Sequence, residues 1–254
     1  VTNSGTGPAH DLQIDDIADE DFTSPSVTAN PNNPGVPSNM GTASGNTTWR
    51  WNVAGPLAVG ASYAFDVEFT LGSAVQPYQT LLNTTAVRWT SQAGIVAGER
   101  TGADGVGGAL NDYARNQAAA ASLTTGGVEF EKMIKAPGTT TYSIGEEVTY
   151  QLVVDFITGT LGNLSIVDTL PSGLSFVSAT AFNQSGSAVT LISSPAAGAT
   201  GTLTFGFGSI TSSHISPKIT LEIKARVRNI VTNTDGTTLT NDANVRFDNP
   251  AGGA

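Results

Sequence analysis

The 254-residue chain is 39% apolar and 13% charged, enough apolar content to bury a core and too much for a disordered chain. Its formal charge of −10, from 11 basic and 21 acidic residues, excludes a nucleic-acid binder, which needs Lys and Arg clustered against phosphate. No run nears 18 apolar residues, so no membrane span is expected, and the absence of cysteine rules out disulfides.

The chain opens on "VTNSGTGPA" without a signal peptide, and it is expected to be a piece of a longer protein. Short alternating runs follow, punctuated by 29 glycines and 12 prolines, which indicates all-β sandwich architecture. "HDLQIDDI" (10–17) puts Leu12 and Ile14 on one face, with Asp16 in the same phase. Further along come "YAFDVEFTL" (63–71) and "TAVRWTS" (85–91). The alanine run in "ALNDYARNQAAAASL" (109–123) makes it the one segment expected to tend to helix. Then follow "EEVTYQLVVDF" (146–156), "NLSIVDTLPSGLSF" (163–176), "GTLTFGFG" (201–208) and "KITLEIKARV" (218–227).

The chain also repeats itself. "HDLQIDDI" aligns with "GNLSIVDTL", placing Asp16 on Asp168, and "TTWRWNV" with "LTFGFGS", placing Trp49 on Phe205 and Trp51 on Phe207. "SYAFDVEF" aligns with "KITLEIKA", and "LNTTAVRW" with "TNDANVRF", placing Asn83 on Asn241. The expected architecture is therefore two tandem Greek-key, Ig-like β-sandwich domains, 1–127 and 128–254. The first lacks the opening strands of the second, and residues 1–131 contain no lysine. A sandwich short of strands leaves an unpaired edge, so strand complementation of the first domain is expected, from a neighbouring chain or a swapped segment.

Three strands of the second copy each carry one polar residue in the apolar phase. Lys132 falls with Val128, Phe130 and Ile134; Asp168 with Leu164, Ile166 and Leu170; Asn241 with Leu239, Ala243, Val245 and Phe247. Each has an ordinary reading: an edge lysine with its head in water, an Asp starting a turn, an Asn at a bulge. Together they make a constellation. Burial favours the neutral forms of both an amine and an acid, and a neutral amine is a nucleophile. A protonated Asp168 could polarise the Asn241 amide carbonyl while Lys132 attacks it, leaving a Lys–Asn isopeptide bond and ammonia. Asp16 and Asn83 form the same site without its lysine.

The pattern "Lys … YSIGEEVTYQLVV … IVDTLPSGLSFV … TNDANV" resembles the isopeptide-forming domains of Gram-positive pilus subunits. It also resembles the related conserved-repeat domains of large bacterial surface proteins. The resemblance implies a bond between Lys132 and Asn241 promoted by Asp168, needing no cofactor. It further implies a stalk or adhesin module on the bacterial surface, with neighbouring repeats of the same protein as partners and an unidentified cell-surface ligand.

The alternative is a Ca²⁺-dependent carbohydrate- or ligand-binding module without a crosslink. Glu99, Asp104, Asn111 and Asp112 are its candidate oxygen ligands, and the Asp-rich stretch 11–21 suits hard cations too, although neither has EF-hand spacing. Trp49, Trp51 and Trp89 are either a sugar platform or core. No Ser-His-acid arrangement suggests a hydrolase.

Overall fold

The computed structural model describes residues 1–29, 31–109, 112–117, 120–135 and 140–251, and every regular element among them is a β-strand. The chain is all-β, built from antiparallel sheets. It divides into two compact units: Val1–Gly72 with Thr80–Thr124, and Ser73–Gln79 with Thr125–Ala254.

The first unit contains β1 (His10–Asp19), β2 (Phe22–Ala29), β3 (Ser38–Ala43), β4 (Asn46–Asn52), β5 (Phe65–Leu71), β6 (Thr80–Thr90), β7 (Ala114–Asn116) and β8 (Ala121–Thr124). Its larger sheet runs β3-β4-β1-β6-β7, with β8 also on β6, and β2 and β5 form a separate pair. The described part of 109–123 therefore holds short strands and no helix. Alanine's helix propensity amounts to tenths of a kcal/mol per residue. The open edge of β6 offers ladder hydrogen bonds instead: β7 pairs with Ala86–Arg88 and β8 with Thr80–Asn83.

The second unit contains β9 (Glu129–Ile134), β10 (Glu147–Asp155), β11 (Gly159–Leu170), β12 (Leu174–Asn183), β13 (Gly201–Ser212), β14 (Lys218–Val227) and β15 (Asp242–Arg246). Two sheets, β12-β14-β10-β9 and β13-β11-β15, enclose one core. The alternation of β14 explains its place: Ile219, Leu221, Ile223, Ala225 and Val227 are all buried, and the charged residues between them face outward. Opposite lie Leu164, Ile166, Leu203 and Phe205, with Phe176 edge-on to Phe205 at 5.6 Å between ring centroids.

The strands of the two units correspond: β1 to β11, β2 to β12, β4 to β13, β5 to β14 and β6 to β15. Nothing described in the first unit corresponds to β9 and β10, and its buried cluster shrinks to Ala9, Leu12, Ile14, Val53 and Leu57. One alignment from the sequence is corrected. Ile14 pairs with Trp51 as Ile166 pairs with Phe205, so Trp51, not Trp49, is the counterpart of Phe205. A two-residue slip leaves the in–out alternation unchanged and so cannot be seen in the pattern.

The segment Ser73–Gln79 leaves the first unit and docks on the second. Thr160 donates from its backbone N–H to the Val75 carbonyl at 2.8 Å and from Oγ1 to the Ser73 carbonyl at 2.9 Å. Tyr78 stacks on Phe247, with ring centroids 6.2 Å apart. Gly159 makes this approach possible: its φ is +136°, and a Cβ there would sit 2.2 Å from the Val75 carbonyl oxygen. Gly159→Ala is expected to destabilise the second unit by about 1–3 kcal/mol in urea denaturation. An unchanged midpoint would show that the docked segment contributes nothing.

Candidate functional site

The three out-of-phase polar residues of the second unit meet inside the sandwich. Lys132 lies on β9, an edge strand of one sheet, opposite Leu152 of β10. Asp168 lies on β11, the central strand of the other sheet, between Leu203 and Ala243. Asn241 immediately precedes β15, the outer neighbour of β11. The site thus joins the first and last strands of the unit through the strand between them.

Lys132 Nζ donates to Asp168 Oδ2 at 2.5 Å; the lysine side chain is 14% exposed and the aspartate 0%. The ammonium position also lies 5.1 Å from the centroid of the Tyr150 ring, whose face it overlies. Burial drives the Lys132 pKa down, against the hydrogen bond and charge of Asp168, which favour the ammonium. Burial drives Asp168 up, against the hydrogen bond and charge of Lys132. Desolvation wins on both partners, so the pair is pushed towards neutral amine and neutral acid.

Asn241 completes the arrangement. Its Oδ1 and Nδ2 are buried and neither makes a hydrogen bond of good geometry; Asp168 Oδ1 is equally without a partner. Yet the amide is close enough to Asp168 and Tyr150 to pull both pKa values down. Buried polar atoms are normally satisfied. Three buried polar atoms without a well-formed hydrogen bond gather at this one point.

Tyr150 escaped the sequence reading. It sits in the apolar phase of β10 with Val148, Leu152 and Val154, all buried, and so looks like ordinary core. Burial first, then the charge of Asp168, raises its pKa to about 12, so its hydroxyl stays protonated beside the pair. Its polar tip in an apolar phase was the available signal. Lys135, out of phase, pairs with Glu222 at 2.7 Å instead.

The first unit holds the partial site. Asp16 on β1 is 7% exposed and pairs with Trp49 of β4 and Thr85 of β6, two residues along from Asn83. Asp16 Oδ1 and Asn83 Oδ1 are buried without partners. Burial raises the Asp16 pKa from 3.8 to about 6, with a smaller opposing pull from its hydrogen bond to Asn83. Between those two values the folded unit binds a proton that the unfolded chain releases. Its stability therefore falls as pH rises through that window, by about 3 kcal/mol in all, and stays lowered above it. Urea denaturation at pH 4 and pH 7 is expected to show the loss, and Asp16→Asn to flatten it. A first unit more stable at pH 7 than at pH 4 would contradict the buried, unpaired acid.

The candidate calcium ligands do not form a cluster: among the described residues no three acidic or histidine side chains gather to hold a metal. Asp112 is tied to Arg115 at 2.5 Å and to the Gly107 N–H at 2.9 Å. Glu99 buries Oε1 without a partner, Asp104 packs against Gly108, and Asn111 lies outside the described residues. In the acidic stretch, Asp15 is held by Arg50 through two hydrogen bonds of 2.6 Å. Trp51 is 1% exposed and packs on Phe65, which makes it core; Trp89 packs on Tyr113. No described helix is long and apolar enough to cross a membrane.

Fold and site define the class: an all-β chain of two related β units, one of which encloses a buried lysine, acid and asparagine on or beside three of its strands. No family model matches the chain, and no curated protein does. Among solved structures it is similar to the T6 backbone pilin of Streptococcus pyogenes, with 14% identity over 98% of this chain and 56% of that one at a TM-score of 0.38. It is similar to the full-length RrgB pilus protein of Streptococcus pneumoniae, with 11% identity over 98% and 42% at 0.40. It is also similar to the full-length major pilin SpaD of Corynebacterium diphtheriae, with 19% identity over 96% and 57% at 0.35. The chain spans about half the length of these structures. At such identities and TM-scores the likeness adds no weight.

Proposed function

We propose that the second unit crosslinks itself by an isopeptide bond between Lys132 and Asn241, promoted by Asp168, and that the chain is a structural stalk module of a bacterial surface protein. The observation that carries this is the 2.5 Å contact of Lys132 with a fully buried Asp168, beside a buried amide that makes no well-formed hydrogen bond.

The chemistry follows from the charge states. A proton passes from the ammonium to the Asp168 carboxylate, leaving two neutral groups, as burial favours. The Lys132 amine attacks Cγ of Asn241 while the Asp168 acid hydrogen-bonds the amide oxygen and stabilises the charge that develops there. A proton from the attacking nitrogen reaches Nδ2 through the Asp168 carboxyl. The Cγ–Nδ2 bond breaks, ammonia leaves, and the new Cγ–Nζ amide remains. Asp168 keeps the proton it took from the ammonium and ends as the neutral acid, as burial favours, and the reaction runs once per chain. Tyr150 walls the site and keeps water from the intermediate.

Trypsin followed by mass spectrometry tests the linkage. Cleavage after Lys132 should be blocked, and the peptide containing it should be joined to the peptide containing Asn241. Free, separately detected Lys132 and Asn241 peptides would contradict the proposal.

A further inference from the structure

The outer face of the first unit carries a roofed polar cavity that the crosslinking chemistry does not use. Asn52 of β4, Gln13 of β1 and Arg88 of β6 stand side by side across three strands, because Gln13 pairs with Asn52 on one side and with Arg88 on the other. Their chain neighbours Trp51, Leu12 and Ile14 are buried, so this row faces away from the core. Gln13 donates from Nε2 to Asn52 Oδ1 at 2.8 Å and accepts from Arg88 Nε. The row is thereby held rigid. Arg88 keeps its two terminal nitrogens for something else, and it enters no ion pair among the described residues.

The segment 91–103 folds back over the row. Thr90 bridges Thr101, and Ser91 N–H donates to the Arg100 carbonyl at 3.0 Å. Gly102 packs so closely that a Cβ there would sit 3.1 Å from Arg88 Cβ and 2.1 Å from the Tyr113 carbonyl oxygen. Asp11 ties the segment down, its Oδ2 accepting from the Gly94 N–H at 2.7 Å and from Thr90 Oγ1 at 3.2 Å. It does so from a left-handed backbone, with φ +45°, where the β1–β6 register breaks. That conformation is costly for a residue other than glycine, and strain of this kind gathers at binding sites.

Between row and segment lies a cavity of about 580 Å³, inside the range of small-molecule sites, roughly 300–1,000 Å³. Two unmatched groups of opposite character line it. Arg88 offers a planar fork of donors, the shape that takes a carboxylate through two parallel hydrogen bonds. Glu99 buries Oε1 without a donor, which a hydroxyl would supply. The two do not pair with each other. Ile95, fully exposed, adds an apolar lip. A ligand that answers all three carries a carboxylate, hydroxyls and an apolar face.

We propose that this cavity binds a pyranose sugar bearing a carboxylate, a hexuronate, with its carboxylate on Arg88 and its ring hydroxyls on Glu99 and Asn52. The site lies wholly within the first unit, so it stands or falls independently of the Lys132–Asn241 bond.

Amide NMR of the full chain, titrated with glucuronate, tests the proposal; glucose and acetate probe the two halves of the ligand separately. Glucuronate is expected to shift the Gly94, Glu99 and Gly102 amides and to saturate at millimolar concentration. Glucose and acetate should each bind at least about tenfold more weakly. Arg88→Lys keeps the charge and loses the fork, and Glu99→Gln keeps the shape and loses the charged acceptor. Each should weaken glucuronate by about tenfold or more, with the rest of the amide spectrum unchanged to report an intact fold. Should one variant unfold the unit, the other still decides the matter. No shift of the Gly94, Glu99 and Gly102 amides at tens of millimolar glucuronate overturns the proposal, as does a folded variant that binds like the parent. Glucose binding as tightly as glucuronate overturns the role of Arg88. Acetate binding as tightly reduces the cavity to an adventitious anion site and overturns the sugar.

Discussion

Asn241→Ala is expected to lower the melting temperature of the second unit by roughly 15–20 °C. Lys132 and Asn241 lie 109 positions apart in sequence. Closing a loop of that length removes about 4–5 kcal/mol of unfolded-chain freedom on the chain-entropy account used for disulfides. For a unit of this size each kcal/mol moves the midpoint by about 3–5 °C. Lys132→Ala should fall as far or further, because it also strips the buried Asp168 of its partner. Asn241→Ala keeps the Lys132–Asp168 contact, so the drop common to both variants measures the bond itself. The link would tie edge strands β9 and β15 of opposite sheets across the core, where a pulling force on the chain ends would otherwise peel them apart. In a chain with no cysteine, it would serve independently of redox conditions. A shift below about 5 °C for both variants would mean that no covalent closure is present.

Trp51→Ala carries the second largest effect, and it falls on the first unit. Trp51 is 1% exposed, packs its ring 5.2 Å from Phe65 and donates from Nε1 to the Gly35 carbonyl at 3.1 Å. Truncating a buried aromatic of this size costs about 3–5 kcal/mol. Few buried apolar residues stand ready to fill the space: the unit's buried cluster among the described residues is Ala9, Leu12, Ile14, Val53 and Leu57. The first unit should therefore open well below the denaturant midpoint of the parent, with fast amide exchange in β1, β4 and β6, while β10, β11 and β14 stay protected. A loss under 1 kcal/mol is what a solvent-facing sugar platform would give, and it would contradict the placement of Trp51 in the core.

Much of this was legible because a residue violated its strand's alternation. Asp168, Lys132 and Asn241 announce themselves as polar groups where Leu, Phe and Ala belong, and the repeat carried the same signal to Asp16 and Asn83. Tyr150 obeys the alternation and so disappeared into it. The alanine-rich 109–123 misled because local propensity is weak beside an open sheet edge that can pair. The alignment of Trp49 with Phe205 failed for the opposite reason: an alternating pattern is blind to slips of two. Nothing periodic in "SAVQPYQ" (73–79) foretold that it would leave its own repeat and dock where Gly159 makes room. Nor could the sequence reveal that Val1–Asn3 pairs with Ala61–Tyr63, which only the hydrogen bonds disclose.

The central claim is the covalent link, and the intact mass of the purified chain tests it most directly. The account predicts a mass about 17 Da below that of the sequence, restored to the full value by Asp168→Ala and by Lys132→Ala. A parent chain at full sequence mass, folded and indistinguishable from the Asp168→Ala variant, would contradict it.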